Sequence, residues 1–141
     1  MSELHIKGWL GTDYDGMVAT SESKDNSSWD SKAIIKQVES FAEENGMTGK
    51  YKRGLGGRKS YIEDVSLRIY FTDKECTLDE AVESLLMFQF SGEVKTDIAL
   101  RGYSEYTITG YSVEDFSIGG HDLEYEMSNH IGEYINFILE C

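Results

Sequence analysis

Apolar residues recur along this chain at two spacings, and each spacing predicts a kind of element. Leu4, Ile6 and Leu10, with Trp9 beside them, stand among polar residues and Gly8, which predicts a first strand over about 4–12. Ile34, Val38, Phe41 and Ala42 instead fall three or four residues apart, the repeat of one helix face. A helix over about 29–44 follows, with Trp29 opening its stripe and Ser28 as N-cap. Asp30 lies in the first turn and Asn45-Gly46 closes the end. Between the two elements, residues 13–28 are rich in Asp, Ser, Gly and Asn and read as a loop.

The later pattern is denser. Val65, Leu67, Ile69 and Phe71 alternate with Ser66, Arg68 and Tyr70, the period of a strand with one buried face. Thr77 with Glu80 forms a capping box, and Leu78, Ala81, Val82, Leu85, Leu86 and Phe88 predict a second helix ending near Gly92. Strands are expected over about 94–101 and 105–117, with a bulge at Gly110 where the apolar parity changes. Gly119-Gly120 predicts a turn, and Asp122 caps a short third helix carrying Leu123, Met127 and Ile131, with Gly132 just beyond. Tyr134, Ile135, Phe137 and Leu139 make a last strand. The order β-α-β-α-β-β-α-β predicts an α+β fold: a single mixed, largely antiparallel sheet with about three helices, not a doubly wound one.

Length and composition narrow the reading. A chain of 141 residues without proline is expected to form one domain over 1–141. No run approaches the roughly 20 apolar residues of a membrane helix. MSELHIKGW lacks the basic start and apolar stretch of a secretion signal, so a cytoplasmic location is expected. Cys76 and Cys141 stand in no CxxC, which fits two free thiols and no metal or redox pair.

Charge changes the picture most. The net charge is −13. Residues 1–72 hold 11 acids and 10 bases, whereas residues 73–141 hold 15 acids against only Lys74, Lys95 and Arg101. Such a negative field opposes direct binding to nucleic acid or an anionic membrane and favours a basic protein surface. The exception is Lys50–Ser60, with five bases and no acid, read as a glycine-rich basic loop. That loop gives the chain a bipolar character and makes a homo-oligomer, basic loop on acidic half, one expected arrangement.

Candidate chemistry is sparse. Gly54-Leu-Gly-Gly-Arg-Lys-Ser60 carries exposed-backbone glycines and a lysine, but Arg58 stands where a Walker loop needs glycine and a strand follows where a helix should. As a phosphate site for a small phosphorylated ligand or nucleotide, its holders are Lys52, Arg53, Arg58 and Lys59. His121-Asp122, with His130 nine residues on, is the best local acid–base group, yet its spacing matches no zinc motif and Asp122 has a full structural role as a cap. Ser60, Ser104 and Ser112 lack a nucleophile elbow, and Asp13, Asp15 and Gly16 make only half of a calcium loop. No catalytic residue and no cofactor is expected.

The preferred expectation is a non-enzymatic acidic protein that docks on a basic surface of another protein. A nucleic-acid enzyme is the obvious target, since its phosphate channel is lined with Lys and Arg. Glu105, Glu114, Asp115, Asp122, Glu124 and Glu126 would stand in for phosphates, and Tyr103, Tyr106, Tyr111, Tyr125 and Tyr134 would add rigid contact area. In size and charge alone, the chain resembles small acidic proteins of phages and mobile elements, and immunity proteins paired with a toxin. That resemblance implies an anti-defence inhibitor or an immunity protein and transfers no functional residue.

Overall fold

Period-two alternation dominates the second half of the chain, and the molecule is accordingly built around one sheet. The computed structural model describes residues 2–24, 31–45, 51–53, 57–83, 87–101 and 110–141, with the backbone alone at 51–53, 57–59 and 100–101. The strands are β1 Glu3–Thr12, β2 Val18–Ser21, β3 Lys32–Ala33, β4 Tyr51–Arg53, β5 Gly57–Thr72, β6 Met87–Arg101, β7 Gly110–Ile118, β8 His121–Asp122 and β9 Tyr134–Glu140. The helices are α1 Ile34–Glu44, α2 Leu78–Ala81 and α3 Leu123–Ser128. The strand order is β3-β2-β1-β9-β5-β6-β7-β8, with β4 pairing on β5, and every described pairing is antiparallel. The α+β expectation holds.

The C-terminal strand sits at the middle of the sheet. β9 is paired on both sides, Phe137 lying opposite Ile6 of β1 and Ile69 of β5. On one face Ile135, Phe137 and Leu139 join Ile6, Leu10, Leu67, Ile69 and Phe71 under α1, which buries Ile34, Ile35, Val38, Phe41 and Ala42. On the other face Ile138 packs with Tyr70 and with Ala81 of α2. Buried Asn136 is satisfied there, its Oδ1 accepting from His5 Nε2 at 2.9 Å and its amide donating to the Cys76 carbonyl at 3.4 Å.

The sheet is curled. Its order places β2 near one end and β7 near the other, yet α3 packs on both. The β1–β2 turn also reaches β7, where Asp15 Oδ1 accepts the Tyr111 N–H at 3.2 Å, and Lys36 of α1 lies 5.0 Å over the Tyr111 ring. α1 and α3 therefore fill the concave side, and a seam runs between the two ends of the sheet.

Several expectations are corrected. Within the expected loop 13–28, Val18–Ser21 is a buried strand, because Asp13 Oδ1 accepts the N–H groups of Asp15 and Met17 and closes a tight turn on β1. α1 begins at Ile34 rather than 29, since Lys32 and Ala33 pair with Thr20 and Ala19; its cap position is Ala33. The expected cap Ser28, Trp29 and Asp30 lie outside the described residues. The Thr77/Glu80 capping box is present, but its helix ends at Ala81. Phe88 and Phe90 enter β6 opposite Ile69 and Leu67, so they alternate with Gln89 at strand period; Leu85 and Leu86 lie outside the described residues. Gly92 is likewise in mid-strand, opposite Val65. The β7 bulge falls at Glu114, not Gly110: Asp97 pairs with Asp115 and Ile98 with Val113, which leaves Glu114 as the extra residue. Ile131 stands outside α3 and is exposed.

Candidate functional site

Two glycines set up the acidic edge. Gly119 and Gly120 take φ of +54° and +87°, which lets a two-residue turn fold Ile118 back onto His121 and start β8. The chain passes directly into α3, whose N-cap is Asp122: its Oδ1 accepts the Tyr125 N–H at 3.2 Å. Leu123 and Met127, four residues apart, are fully buried and fix the helix to the concave side.

This arrangement gathers most of the acids expected from the sequence. Glu114 is pushed out by the bulge and exposed, with Ser112 donating to it at 3.2 Å. Asp115 is half-buried opposite Asp97 of β6, and Asp122 is exposed opposite Ser117. Glu126 is half-buried on α3, and Tyr125 beside it is one of the most exposed aromatics, at 65%. Glu105 lies outside the described residues. From residue 102 to 141 the chain contains no lysine or arginine, so no base on this stretch neutralises the edge.

Glu124 departs from the expectation. It turns into the seam, where Oε2 accepts the Val18 N–H of β2 at 3.1 Å, and Oε1 is buried without a partner among the described residues. Burial first, then the charges of Asp122 and Asp13, push its carboxyl up to about 7, against the pull of the Val18 N–H. It therefore ties α3 to β2 across the seam.

The remaining candidates are placed apart from one another. His121 packs on Phe90, with ring centroids 4.9 Å apart, while the Asp122 carboxylate serves the helix. His130 stacks on Phe71 at 4.0 Å, and its Nδ1 lies 2.6 Å from Glu133 Oε2. Asp13 and Asp15 hold the β1–β2 turn and its tie to β7. Among the described residues, no group of three or more His, Cys, Asp or Glu is placed to hold a metal ion. Cys76 and Cys141 are not joined to each other in a disulfide, and burial raises the Cys141 thiol above its ordinary value.

The expected glycine-rich loop is a hairpin. Lys52 and Arg53 lie on β4 and Arg58 and Lys59 on β5, with Lys52 opposite Arg58; 54–56 lie outside the described residues. Ladder pairing here engages backbone groups that a phosphate cradle needs free. Sequence reading also missed the Asp15–Tyr111, Glu124–Val18 and His130–Glu133 contacts. Only the last had a local signal, the spacing of three between His and Glu.

A second acidic concavity, of about 490 Å³, lies at the end of β5 and is lined by Asp73, Glu75, Glu80, Glu83 and Glu133 around Lys74. Lys7 and Lys32 instead line a groove over β1, β2 and the start of α1. No family model, curated protein or solved structure matches the chain. Among the described residues, no helix is long and apolar enough to cross a membrane.

Proposed function

We propose that this is a non-enzymatic binding protein that docks its β7–β8–α3 edge on a basic surface of another protein. The observation that carries the reading is the clustering of Glu114, Asp115, Asp122 and Glu126 on one edge, within a stretch of chain that has no lysine or arginine. Complementary charge of this kind speeds encounter and selects the partner more than it adds raw affinity. Tyr125 supplies a rigid aromatic contact beside the acids. A partner whose surface normally holds phosphates, such as a nuclease or another nucleic-acid enzyme, offers the matching array of Lys and Arg. Inhibition of such an enzyme, or immunity to a toxin of that type, is the activity this reading implies.

The test is a pull-down with tagged protein, followed by affinity measurements across a salt series. Affinity is expected to fall as salt rises. The combined Glu114→Lys, Asp115→Lys and Glu126→Lys variant should bind at least about tenfold more weakly while melting with the parent. Binding that ignores both salt and charge reversal would sink the proposal.

A further inference from the structure

The seam between the two ends of the sheet is joined by hydrogen bonds that strand N–H groups donate to carboxylates. One of these ties is chemically different from the other. Asp15 lies on the β1–β2 turn and reaches Tyr111 from a loop. Glu124 belongs to α3, and its Oε2 accepts the Val18 N–H of β2. Its second oxygen is buried with no partner among the described residues. An ionised carboxylate in that position has half of its charge withdrawn from water, which is costly without a compensating donor or cation.

The groups around it are mostly of the wrong sign to compensate. The β1–β2 turn brings Asp13, and β8 brings Asp122; both charges oppose ionisation. β2 carries no charged side chain, and β7 carries Glu114 and Asp115. The other titratable groups on elements at this end are Tyr125 and Glu126 of α3 itself, Tyr14 and Asp15 of the β1–β2 turn, Tyr111 of β7, His121 of β8 and, beyond the helix, His130 with Glu133. Lys36 of α1 reaches the seam over the Tyr111 ring. No lysine or arginine lies on β2, β7, β8 or α3.

We propose that Glu124 makes α3 a proton-gated clasp: with its carboxyl neutral the helix stays docked on β2, and with it ionised the helix is released from the seam. Release would let water reach Oε1 and would uncover Leu123 and Met127, which the docked helix buries completely. It would also move the acids of α3, so the shape of the edge would depend on pH. This inference stands whether or not the edge has a protein partner.

The sign follows from linkage. The carboxyl binds its proton more tightly in the folded protein, about 7, than in the unfolded chain, 4.5. The stabilisation linked to Glu124 is therefore full below pH 4.5, is lost as pH rises through 7, and changes no further above that.

NMR on the isolated protein tests the clasp directly. Followed from pH 4 to 9, the Val18 amide should titrate with a midpoint near 7. The Met127 methyl should shift towards a solvent-exposed position over the same range. Glu124→Gln keeps an acceptor for the Val18 N–H but has no charge, so both signals should become flat. His121→Gln should leave the transition in place. A Val18 midpoint near 4.5, a Met127 methyl unmoved up to pH 9, or a transition that survives Glu124→Gln would each overturn the proposal. So would a transition removed by His121→Gln, which would assign the proton to the imidazole.

Discussion

The middle of the sheet and its β7–β8–α3 edge are held by different physics. β9 is buried from Tyr134 to Leu139, paired on both sides and covered on both faces, so its place is fixed by apolar area and a two-sided ladder. At the edge, β7 still has a ladder to β6 and buries Phe116 and Ile118, but the rim beyond it is held by two buried residues on a six-residue helix, a two-glycine turn and carboxylates that accept backbone N–H groups. Burial of Ile135 or Phe137 does not change with pH or salt. A tie such as Glu124–Val18 changes with pH, because its acceptor can gain a proton. The same chain thus has a region that defines the fold and a region free to respond, and Glu114, Asp115, Asp122 and Glu126 lie on the second.

The largest expected effect tests the first half of that contrast. Phe137 is fully buried at the crossing of β1, β9 and β5. Phe137→Ala should destabilise the protein by about 3–5 kcal/mol, read from urea unfolding midpoints. Glu114→Ala, on the exposed bulge, should stay within about 0.5 kcal/mol of the parent. Equal costs at the two sites would break the comparison.

The turn into β8 offers a sharper cut within the edge. Both of its glycines have positive φ, but their surroundings differ. A Cβ on Gly119 would lie 2.5 Å from the Ser91 carbonyl oxygen, a backbone atom that cannot easily move, whereas a Cβ on Gly120 meets nothing within 4 Å. Gly120→Ala should cost about 1 kcal/mol for its backbone conformation alone. Gly119→Ala adds the clash and should cost about 2–3 kcal/mol. Thermal melts of the two variants check the order, and similar losses would show that β6 yields at Ser91.

Glu124→Gln comes next and has a sign that depends on pH. Near pH 8 the parent's Glu124 is ionised and the variant's side chain is neutral. The variant should then be more stable by about 2 kcal/mol, the shift in pKa reduced for a group that water still partly reaches. Near pH 4 both side chains are neutral, and the difference should nearly vanish. Denaturant midpoints at the two pH values decide it; a variant less stable than the parent at pH 8 would show that the charge holds the seam rather than straining it.

The contrast also explains what could be read from the sequence. Strands at the centre were legible because Val65–Phe71 and Tyr134–Leu139 carry dense apolar residues with little else to mislead. Local chemistry was legible too: the Thr77/Glu80 box, the Gly119-Gly120 turn and the Asp122 cap depend on residues within three positions of one another. β2 was hidden because its four residues are small or polar and its burial comes from β1, β3 and the helices packed on the sheet. Met87–Phe90 read as helix because the apolar run 85–88 has no period of its own; pairing with β5 decides it. For the site, composition located the acidic half, but only the curl of the sheet separates Glu124, turned inward beside Val18, from Glu114 and Asp122, turned outward. Contacts spanning 96 and 106 residues leave no mark on local spacing.

The smallest expected effect bears on whether the edge holds a catalytic carboxylate or a structural one. Asp122 is exposed, accepts the Tyr125 N–H and stands one residue before Leu123, where an otherwise unsatisfied helix N–H needs an acceptor. His121, its neighbour, packs on Phe90, and the Asp122–Tyr125 bond gives the carboxylate its role. Removing the side chain in Asp122→Ala should cost about 1 kcal/mol. Asn and Ser also cap helix N-termini, so Asp122→Asn and Asp122→Ser should retain most of the stability although both lose the charge. Charge matters separately at this position, because Asp122 opposes ionisation of Glu124. Asp122→Asn should therefore lower the midpoint of the Val18 amide titration while leaving the melting temperature almost unchanged. A cap that tolerates Asn in stability yet moves the Glu124 midpoint is structural in one role and electrostatic in the other. A melting temperature that falls as far in Asp122→Asn as in Asp122→Ala would show instead that the charge itself, and not the hydrogen bond, holds the start of α3.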